Sequence, residues 1–397
     1  MAVINSDVVV AGHICLDIIP EIRGVRADGR LLVPGGLTEV GPAAISTGGV
    51  VSNTGLALHR LGVPVRLIGK VGADLFGRAV MEIVASQGKD LTRRMIASPG
   101  ETTSYTVVVN PPGFDRFFYH CAGANDTFQA TDVTAEALRG AALFHFGYPP
   151  IMKRMWQSGG EELARLLTMV KAAGVTTSLD MTQPDPESPA GRCDWRRLLS
   201  RVLPLVDLFL PSLDETLFML DRESFESLSE ETGGRLLMSG GLALPARLAD
   251  ELLNIGCAIV ALKLGDSGMY LRTSKDPSRW ERFGACRPDP IGPWLGRELY
   301  TPCFQVEVQG TTGAGDCANA GFLTALLRGL SPEAAMIRAV AVGACNVERP
   351  DATSGIPAWS GVEERLATGW PRLKPPCGIP TDWQEADGVW SSPRDGR

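Results

Sequence analysis

Five short runs that are nearly continuous in apolar or β-branched residues limit the fold of this chain more than any other feature of its sequence. They lie at 8–11, 143–146, 176–179, 205–210 and 258–264. Strands that are covered on both faces tend to be apolar throughout, whereas half-exposed strands alternate. Helical patterns separate the runs, at 161–173, 245–254 and 333–347. Strands that alternate with helices predict βαβ units and therefore an α/β fold with a mainly parallel sheet.

Two segments, at about 15–47 and 102–122, interrupt this order because they alternate like strands and carry no helix signals. In the second, Pro-Pro-Gly at 111–113 separates two strand-like stretches, which predicts a β-hairpin outside the parallel core. We expect these insertions to form a small sheet that acts as a lid on a core of residues 1–370. The prolines between 275 and 302 indicate a loop. The segment 371–397, rich in Pro, Gly and charge, is predicted to be an extended tail.

The overall composition narrows the possible partners and compartment. The net charge is −7, and non-specific nucleic-acid binding needs basic patches, so we expect no nucleic-acid partner. The nine cysteines lie apart without C-x-x-C spacing, which favours reduced thiols over a disulfide framework or a zinc site. We find no signal-peptide pattern and no run long enough to span a membrane. The sequence therefore predicts a cytoplasmic protein without a membrane partner.

A glycine-rich turn at 311–316, with the sequence TTGAGD, lies between a strand-like stretch at 304–308 and an amphipathic helix. Glycines let the backbone approach a ligand closely, and a helix N-terminus offers unpaired N–H donors. Such a turn can hold a phosphoryl group in flight. Asp316, in the first helical turn, would be ionised at neutral pH and could accept the proton of an attacking hydroxyl.

Two other interpretations fit this turn when it is taken alone. The glycines and Asp316 also suit an ordinary tight turn with a helix-capping acid. The sequence GAGDCA at 313–318 satisfies the dinucleotide-binding fingerprint as well. That fingerprint requires a strand after the helix, and a second helical pattern follows here instead, from 332 to about 347. We therefore disfavour a dehydrogenase.

A second glycine segment spans 47–62. Gly48 and Gly49 open a helix, Gly62 closes it, and Asn53 lies one turn inside, where its amide could contact ligand hydroxyls. The stretch 65–69 reads as a strand, and the glycines at 72 and 77 indicate a loop over 70–77. Taken alone, this segment fits a plain helix N-terminus better than a site.

Together the two glycine segments resemble the signature of the PfkB (ribokinase-like) carbohydrate kinase family. The resemblance extends to Gly12 and Asp17 after the first strand, to VALKLGDSG at 260–268 and to GIP at 355–357, so it covers about 8–360 in the right order. It implies a three-layer α/β core with a mainly parallel sheet between helices and a β-sheet lid. It also implies an ATP- and Mg²⁺-dependent kinase that acts on a small hydroxylated substrate. A Walker A motif is absent from the sequence, which disfavours a P-loop kinase.

The resemblance implies roles for individual positions. On the substrate side, contacts to hydroxyl groups fall to four residues: Asp17, Gly48, Gly49 and Asn53. The anion hole and the base would be formed by four others: Gly313, Ala314, Gly315 and Asp316. The nucleotide would be bound at five positions: Lys263, Gly265, Asp266, Gly268 and Thr311. Glu215 would act on the metal indirectly. A homodimer through the lid is expected by analogy.

Three positions depart from the family pattern. Gly310 stands where the family usually has an Asp that helps to hold a monovalent cation, so we expect weak or no potassium dependence. Ser212 replaces the Asn of the Asn-x-x-Glu segment that is linked to magnesium, although a hydroxyl could still orient a metal-bound water. Val50 replaces a polar residue of several sugar kinases, which indicates different substrate contacts from those of a ribose or fructose enzyme.

Two further functions remain open at this point. A nucleoside kinase of the same fold needs an aromatic surface, which Phe117, Phe118 and Tyr119 could supply, although they suit the lid core equally well. A catalytically silent ligand-binding member would explain Gly310 and Ser212, but it would not need to keep Asp316.

Four polar side chains near the strands and the hairpin receive simpler interpretations. We interpret His145 as a hydrogen-bonded core residue. A solvated turn is the favoured interpretation for Asn125 and Asp126, and His13 is placed more readily in the core than against the substrate.

Overall fold

The computed structural model describes residues 7–24, 35–111, 117–237, 241–375 and 378–396. The strands, in chain order, are β1 (Asp7–Gly12), β2 (Cys15–Pro20), β3 (Ala43–Gly48), β4 (Val65–Ile68), β5 (Lys70–Gly72), β6 (Ile96–Ser98), β7 (Tyr105–Val109), β8 (Phe117–Cys121), β9 (Ala141–Gly147), β10 (Thr176–Asp180), β11 (Leu208–Phe209), β12 (Ile259–Lys263), β13 (Met269–Thr273), β14 (Glu298–Thr301), β15 (Gln384–Ala386) and β16 (Val389–Ser391). The helices are α1 (Val50–Arg60), α2 (Leu75–Gln87), α3 (Ala135–Leu138), α4 (Lys153–Ala172, interrupted at 157–160), α5 (Trp195–Val202), α6 (Leu213–Leu220), α7 (Arg222–Thr232), α8 (Ala243–Ile255), α9 (Pro277–Glu281), α10 (Ala314–Leu327), α11 (Pro332–Val347) and α12 (Trp359–Ala367).

A ten-stranded sheet in the order β15-β16-β14-β13-β12-β11-β10-β9-β1-β4 forms the centre of the molecule. The pairs from β4 through β12 are parallel, and each of the five apolar runs contributes residues to one of these strands. The pairs beyond β12 are antiparallel. The prediction of a mainly parallel sheet is therefore confirmed, and helix α11 after α10 is incompatible with the dinucleotide-binding arrangement.

Different helices cover the two faces of this sheet. Along β1, Val8 and Val10 pack into one core with α1, α10, α11 and α12. Val9 and Ala11 point to the other face, where they pack with α4, α5, α6 and α8. Side chains alternate along a strand, so a strand buried on both faces tends to be apolar along its whole length. The result is the predicted three-layer core.

The two insertions form a separate four-stranded sheet in the order β3-β2-β7-β8. Strand β2 pairs antiparallel with β3 and parallel with β7, so the sheet joins segments that are far apart in sequence. Strands β7 and β8 make the expected hairpin pairing. The hairpin turn at 112–116 and the insertion's middle at 25–34 lie outside the described residues. We call this sheet the lid sheet.

Three local predictions were wrong. The stretch 275–302 is not all loop, because it holds α9 and strand β14, and β14 gains its partners from β13 and β16. The stretch 304–308 forms only an isolated bridge, Phe304 to Arg372, and the Phe304 ring stacks on Trp370 with 4.4 Å between centroids. The alternation of apolar and polar residues along 304–308 therefore reflects the packing of one side of this stretch against its neighbours, and no strand forms there. The stretch 70–77 contains β5 and the start of α2, and Asp74 caps that helix.

The C-terminal segment also differs from an extended tail. Strands β15 and β16 add to the main sheet, and Trp383 packs against the Tyr270 ring at 6.4 Å. Arg394 Nη2 donates to Glu298 Oε1 at 2.6 Å, and Arg394 Nη1 to Asp250 Oδ2 at 2.9 Å. The local composition predicted an extended tail. It could not show these contacts, because the partners of Arg394 lie about 100 residues or more earlier in the chain.

None of the helices in the described part of the chain combines the length and the apolar character that a bilayer crossing requires.

Candidate active site

The parallel strands end at one edge of the main sheet, and the polar residues of the site follow those ends. His13 comes directly after β1 and Tyr148 after β9, while Asp180 and Lys263 are the last residues of β10 and β12. In open α/β sheets, ligands bind outside the carboxyl ends of the parallel strands. Helix α10 brings Asp316 to the same edge.

Asp316 is 2% exposed, and three side chains donate hydrogen bonds to its carboxylate. Oδ1 accepts from Thr54 Oγ1 at 3.0 Å. Oδ2 accepts from Asn53 Nδ2 at 3.0 Å and from the Tyr148 hydroxyl at 2.7 Å. Asn53 and Asp316 were both singled out from the sequence and do meet here. Thr54 and Tyr148 were not, and no local pattern around Tyr148 pointed to a site.

Two glycines, Gly313 and Gly315, form the N-terminus of α10, and the conformation or the surroundings of each favour glycine. Gly313, which caps the helix, has φ of 74°, a left-handed value that favours glycine. A Cβ at Gly315 would lie 3.3 Å from Lys263 Cδ and 3.6 Å from its Nζ. The ammonium group is therefore close to the first helical turn. The partial positive charge of a helix N-terminus and a nearby ammonium favour an anion at this place.

Lys263 belongs to a buried ion pair that the sequence reasoning missed. Its Nζ donates to Asp180 Oδ1 at 2.6 Å, and Asn319 Nδ2 donates to Asp180 Oδ2 at 2.9 Å. The Asp180 side chain is 1% exposed. Burial alone would lower the pKa of Lys263, but the charges of Asp180, Glu215 and Asp316 outweigh it and raise the pKa. The lysine therefore stays charged.

Glu215 lies at the start of α6 in a reciprocal cap with Ser212. Glu215 Oε2 accepts from the Ser212 backbone N–H at 2.7 Å, and Ser212 Oγ accepts from the Glu215 N–H at 3.1 Å. Burial raises the pKa of the Glu215 carboxyl, and Lys263 partly offsets this. The Ser212 hydroxyl thus serves the helix cap as an acceptor and keeps its own proton to donate.

The substrate-side positions predicted from the sequence lie together at the start of α1. A Cβ at Gly48 would come within 2.4 Å of Asp17 Oδ2, and a Cβ at Gly49 within 2.5 Å of His13 Nδ1. Gly49 also has φ of 87°, so both positions require glycine. Burial raises the pKa of Asp17 to about 6, and hydrogen bonds from Cys15 and Thr106 oppose the increase. An acid of this kind is poised to bind hydroxyl groups.

Two histidines meet between the core and the lid sheet. His13 Nε2 lies 3.3 Å from His120 Nε2, and His120 Nδ1 lies 3.0 Å from Thr106 Oγ1. The His13 ring is 2% exposed, and its Nδ1 has no protein partner among the described residues. Burial and then the charge of His120 lower the pKa of His13 well below its ordinary value. A buried ring nitrogen without a partner is available to a ligand.

The remaining polar candidates have structural partners. His145 is fully buried, with Nδ1 2.9 Å from Ser178 Oγ, which confirms its assignment as a hydrogen-bonded core residue. The prediction of a solvated turn was wrong for Asn125, which is fully buried and donates to the Ile14 carbonyl at 2.9 Å. A side chain that hydrogen-bonds a distant backbone carries no local sequence signal.

The turn after β12 lines a cleft of about 180 Å³ that also includes the start of α6. Gly265, Asp266 and Leu213 are among its walls. Gly268 has φ of 106°, and a Cβ there would lie 2.0 Å from the Thr301 carbonyl oxygen. Thr311, the other predicted nucleotide position, accepts the Ala314 N–H at its carbonyl at the start of α10.

Gly310 leaves no room for a side chain. A Cβ there would lie 2.9 Å from both the Cα and the carbonyl oxygen of Pro350. An aspartate could not replace this glycine unless the 349–350 backbone moved. Across the described ranges, no three His, Cys, Asp or Glu side chains form a group able to hold a metal ion.

Comparisons with known proteins identify the family and the fold of the chain. A model described as pfkB family carbohydrate kinase matches residues 5–359. The chain is 26% identical over 338 residues to the 2-dehydro-3-deoxygluconokinase of Bacillus subtilis, a match that covers 84% of this chain and 89% of that enzyme. The fructokinase of Xylella fastidiosa with bound ATP superposes with a TM-score of 0.67 at 18% identity, covering 91% of this chain and 98% of that structure. The Arabidopsis thaliana ribokinase complexed with ribose and ATP gives 0.64 at 18% identity, covering 90% and 98%.

Proposed function

We propose that this chain, which belongs to the pfkB family of carbohydrate kinases and is therefore a phosphotransferase with a hydroxyl group as acceptor, transfers the γ-phosphoryl group of ATP to a hydroxyl of a small sugar or sugar-like substrate. The observation that carries the proposal is the position of Asp316. Its buried carboxylate lies in the first turn of α10, next to the glycine backbone that adjoins Lys263. Acceptor activation and charge stabilisation thus meet within one helical turn.

The proposed step is an in-line displacement. The substrate hydroxyl gives its proton to the Asp316 carboxylate, its oxygen bonds to the γ-phosphorus, and the bond from that phosphorus to the β–γ bridging oxygen breaks to release ADP. The backbone of Gly313, Ala314 and Gly315 at the α10 N-terminus would stabilise the charge on the transferring group. Phosphoryl transfer depends mostly on positioning and electrostatics, so a carboxylate is a sufficient base.

Lys263 would assist as a cation in this anion hole. Nζ pairs with Asp180 at 2.6 Å, and a short side-chain rotation would let it face a phosphate beside Gly315. Polyanionic ATP would thereby meet a charge that the protein already holds in place. We propose Lys263, Gly265, Asp266, Gly268 and Thr311 as the nucleotide-binding positions.

Magnesium fits the site only as an ion held mainly by the phosphates. Glu215 and Asp180 are the buried acids near Lys263, and neither belongs to a three-residue metal group in the described part of the chain. Mg²⁺ commonly keeps several waters and binds through one or two carboxylates plus substrate phosphates. We propose that Glu215 holds such waters, and that the ion neutralises phosphate charge when bound.

On the substrate side, we propose that Asp17, Asn53 and the backbone of Gly48 and Gly49 contact the sugar hydroxyls. Asp17 pairs in register with Thr106, whose hydroxyl lies 3.0 Å from His120 Nδ1, and Asn53 Oδ1 is buried without a protein partner among the described residues. These groups suit a ligand that carries several hydroxyls. Closure of the lid sheet over them would exclude water from the phosphoryl group.

A substrate panel tests the proposal. ADP release from ATP and Mg²⁺ would be followed with neutral sugars, polyols, sugar acids and nucleosides. We expect turnover with at least one of the first three classes. Turnover with nucleosides only would favour the nucleoside kinase, whose aromatic surface would be Phe117, Phe118 and Tyr119. Binding without turnover across all classes would favour the catalytically silent alternative.

We also propose a homodimer through the lid sheet. Four large side chains on its edge strands are about half exposed: Ile45 (49%), Phe117 (47%), Phe118 (56%) and Tyr119 (58%). Three of them are consecutive on β8, and adjacent exposed apolar groups of this size are typical of a protein interface. Light scattering of the purified protein should give twice the mass of one chain, and a monomer at micromolar concentration would contradict this proposal.

A further inference from the structure

Tyr148 stands out among the residues around Asp316 because of its backbone. It follows β9 with φ of 67° and ψ of 36°, in the left-handed region that residues other than glycine seldom adopt. Its N–H donates to the Asp180 carbonyl at 3.3 Å, and Pro149 and Pro150 follow it in a short 3-10 turn. Such a conformation persists only where the surroundings enforce it, and it is a common feature of functional sites.

The side chain that results from this backbone reaches the proposed base. The Tyr148 hydroxyl donates to Asp316 Oδ2 at 2.7 Å across 168 residues of sequence. Burial, and then the charges of Asp316 and Asp180, raise the pKa of Tyr148 well above its ordinary value. The phenol therefore keeps its proton near neutral pH and acts as a donor to the carboxylate.

A count of hydrogen bonds at this carboxylate shows what Tyr148 does. An ionised carboxylate has about four acceptor positions, two on each oxygen. The described side chains fill both positions on Oδ2, through Asn53 and Tyr148, and one on Oδ1, through Thr54. One acceptor position remains, on Oδ1. With Oδ2 saturated, the carboxylate also has a fixed rotation.

We propose that Tyr148 is a positioning residue for the catalytic base: it occupies the last free position on Asp316 Oδ2, so that Oδ1 is the oxygen that takes the proton of the acceptor hydroxyl. This inference rests on the proposed role of Asp316. Without the phenol, Oδ2 gains a free position, the carboxylate can rotate about its bond to Cβ, and the hydroxyl can be held by either oxygen. Only one of the two is in line for transfer, so turnover falls while sugar binding is kept.

The Tyr148→Phe substitution tests this role because it removes the hydroxyl, keeps the aromatic ring and still places a non-glycine residue in the left-handed conformation. We expect kcat to fall by about 10- to 100-fold, equivalent to about 1.4 to 2.7 kcal/mol, with the KM for the sugar unchanged within about threefold. Tyr105→Phe is the matched control, since the Tyr105 ring packs edge-on against Phe76 at 5.5 Å in the lid sheet. It should keep wild-type kcat.

Three measurements on the same preparations separate the alternatives. Wild-type kcat in Tyr148→Phe would refute the inference. An increase in KM with unchanged kcat would mean that the phenol contacts the substrate instead, and a midpoint of thermal unfolding lowered by more than a few degrees would indicate a structural role; both results contradict positioning.

Asp316→Asn in the same assay separates the proposed role of Tyr148 from the proposed role of Asp316. If Asp316→Asn is inactive while Tyr148→Phe turns over normally, only the positioning role of Tyr148 fails. Wild-type turnover in Asp316→Asn would instead refute the proposal that Asp316 is the catalytic base.

Discussion

Replacing Asp17 with Asn should stabilise the protein at neutral pH while weakening its action on the sugar. Burial raises the pKa of Asp17 from 3.8 to about 6. The folded chain therefore binds this proton more tightly than the unfolded chain does. The stabilising contribution of Asp17 is fully present below about pH 4, is lost as the pH rises from about 4 to 6, and stays absent above that range. An amide at this position has no charge to bury, so the variant escapes the loss.

The size of the effect follows from the shift. About two pKa units at 1.36 kcal/mol each amount to about 3 kcal/mol at pH 7.5, and to about 1 kcal/mol at pH 4.5, where the unfolded carboxyl is still largely ionised. The substitution also weakens the hydrogen bonds from Cys15 and Thr106, each worth about 1 kcal/mol. That second loss does not depend on pH. The variant should therefore gain about 2 kcal/mol relative to wild type between pH 4.5 and pH 7.5.

Urea unfolding at the two pH values measures this difference directly. Asp90→Asn serves as the control because Asp90 is exposed. We also expect Asp17→Asn to raise the KM for the sugar. A free-energy difference between Asp17→Asn and wild type that is equal at pH 4.5 and pH 7.5 would show that the Asp17 charge is not buried in the way described.

Two further outcomes follow from other parts of the molecule. Arg394→Ala should lower the free energy of unfolding by about 1 to 2 kcal/mol, because it leaves the buried Glu298 with fewer partners; Arg192→Ala, which breaks an exposed pair with Glu187, should change it by less than about 0.5 kcal/mol in the same urea titration. Activity measured against added potassium should stay level, because Gly310 replaces the Asp that helps to hold a monovalent cation and a side chain there would meet the Pro350 backbone. A several-fold activation by potassium would contradict that reasoning.

The sequence was sufficient for the parallel strands and for the lid sheet because both depend on local periodicity. A strand buried on both faces tends to be apolar throughout, as along 8–11, and β7 of the lid sheet alternates between buried and half-buried residues. The C-terminal strands escaped prediction because β16 depends on β14, some 90 residues earlier in the chain. Local composition does not contain that pairing.

The site divides in the same way. The glycines at 48, 49, 313 and 315 and the acid Asp316 could be found because close backbone approach and a helix start leave a sequence pattern. Tyr148 and Asp180 could not be found, because each acts through a side chain more than 80 residues away. Two prolines follow Tyr148, and a fully buried strand precedes Asp180. Neither pattern indicates a buried polar contact.

The most direct test of the central claim is the turnover of Asp316→Asn. Asparagine keeps the shape of the side chain and cannot take the acceptor's proton, and general-base contributions of about 100- to 10,000-fold are typical. We expect kcat to fall by that factor with a substrate from the panel, with the dissociation constant for ATP unchanged within about threefold and Asp90→Asn as the control. Wild-type turnover in Asp316→Asn would contradict the account, because the oxygen that receives the proton would then lie elsewhere.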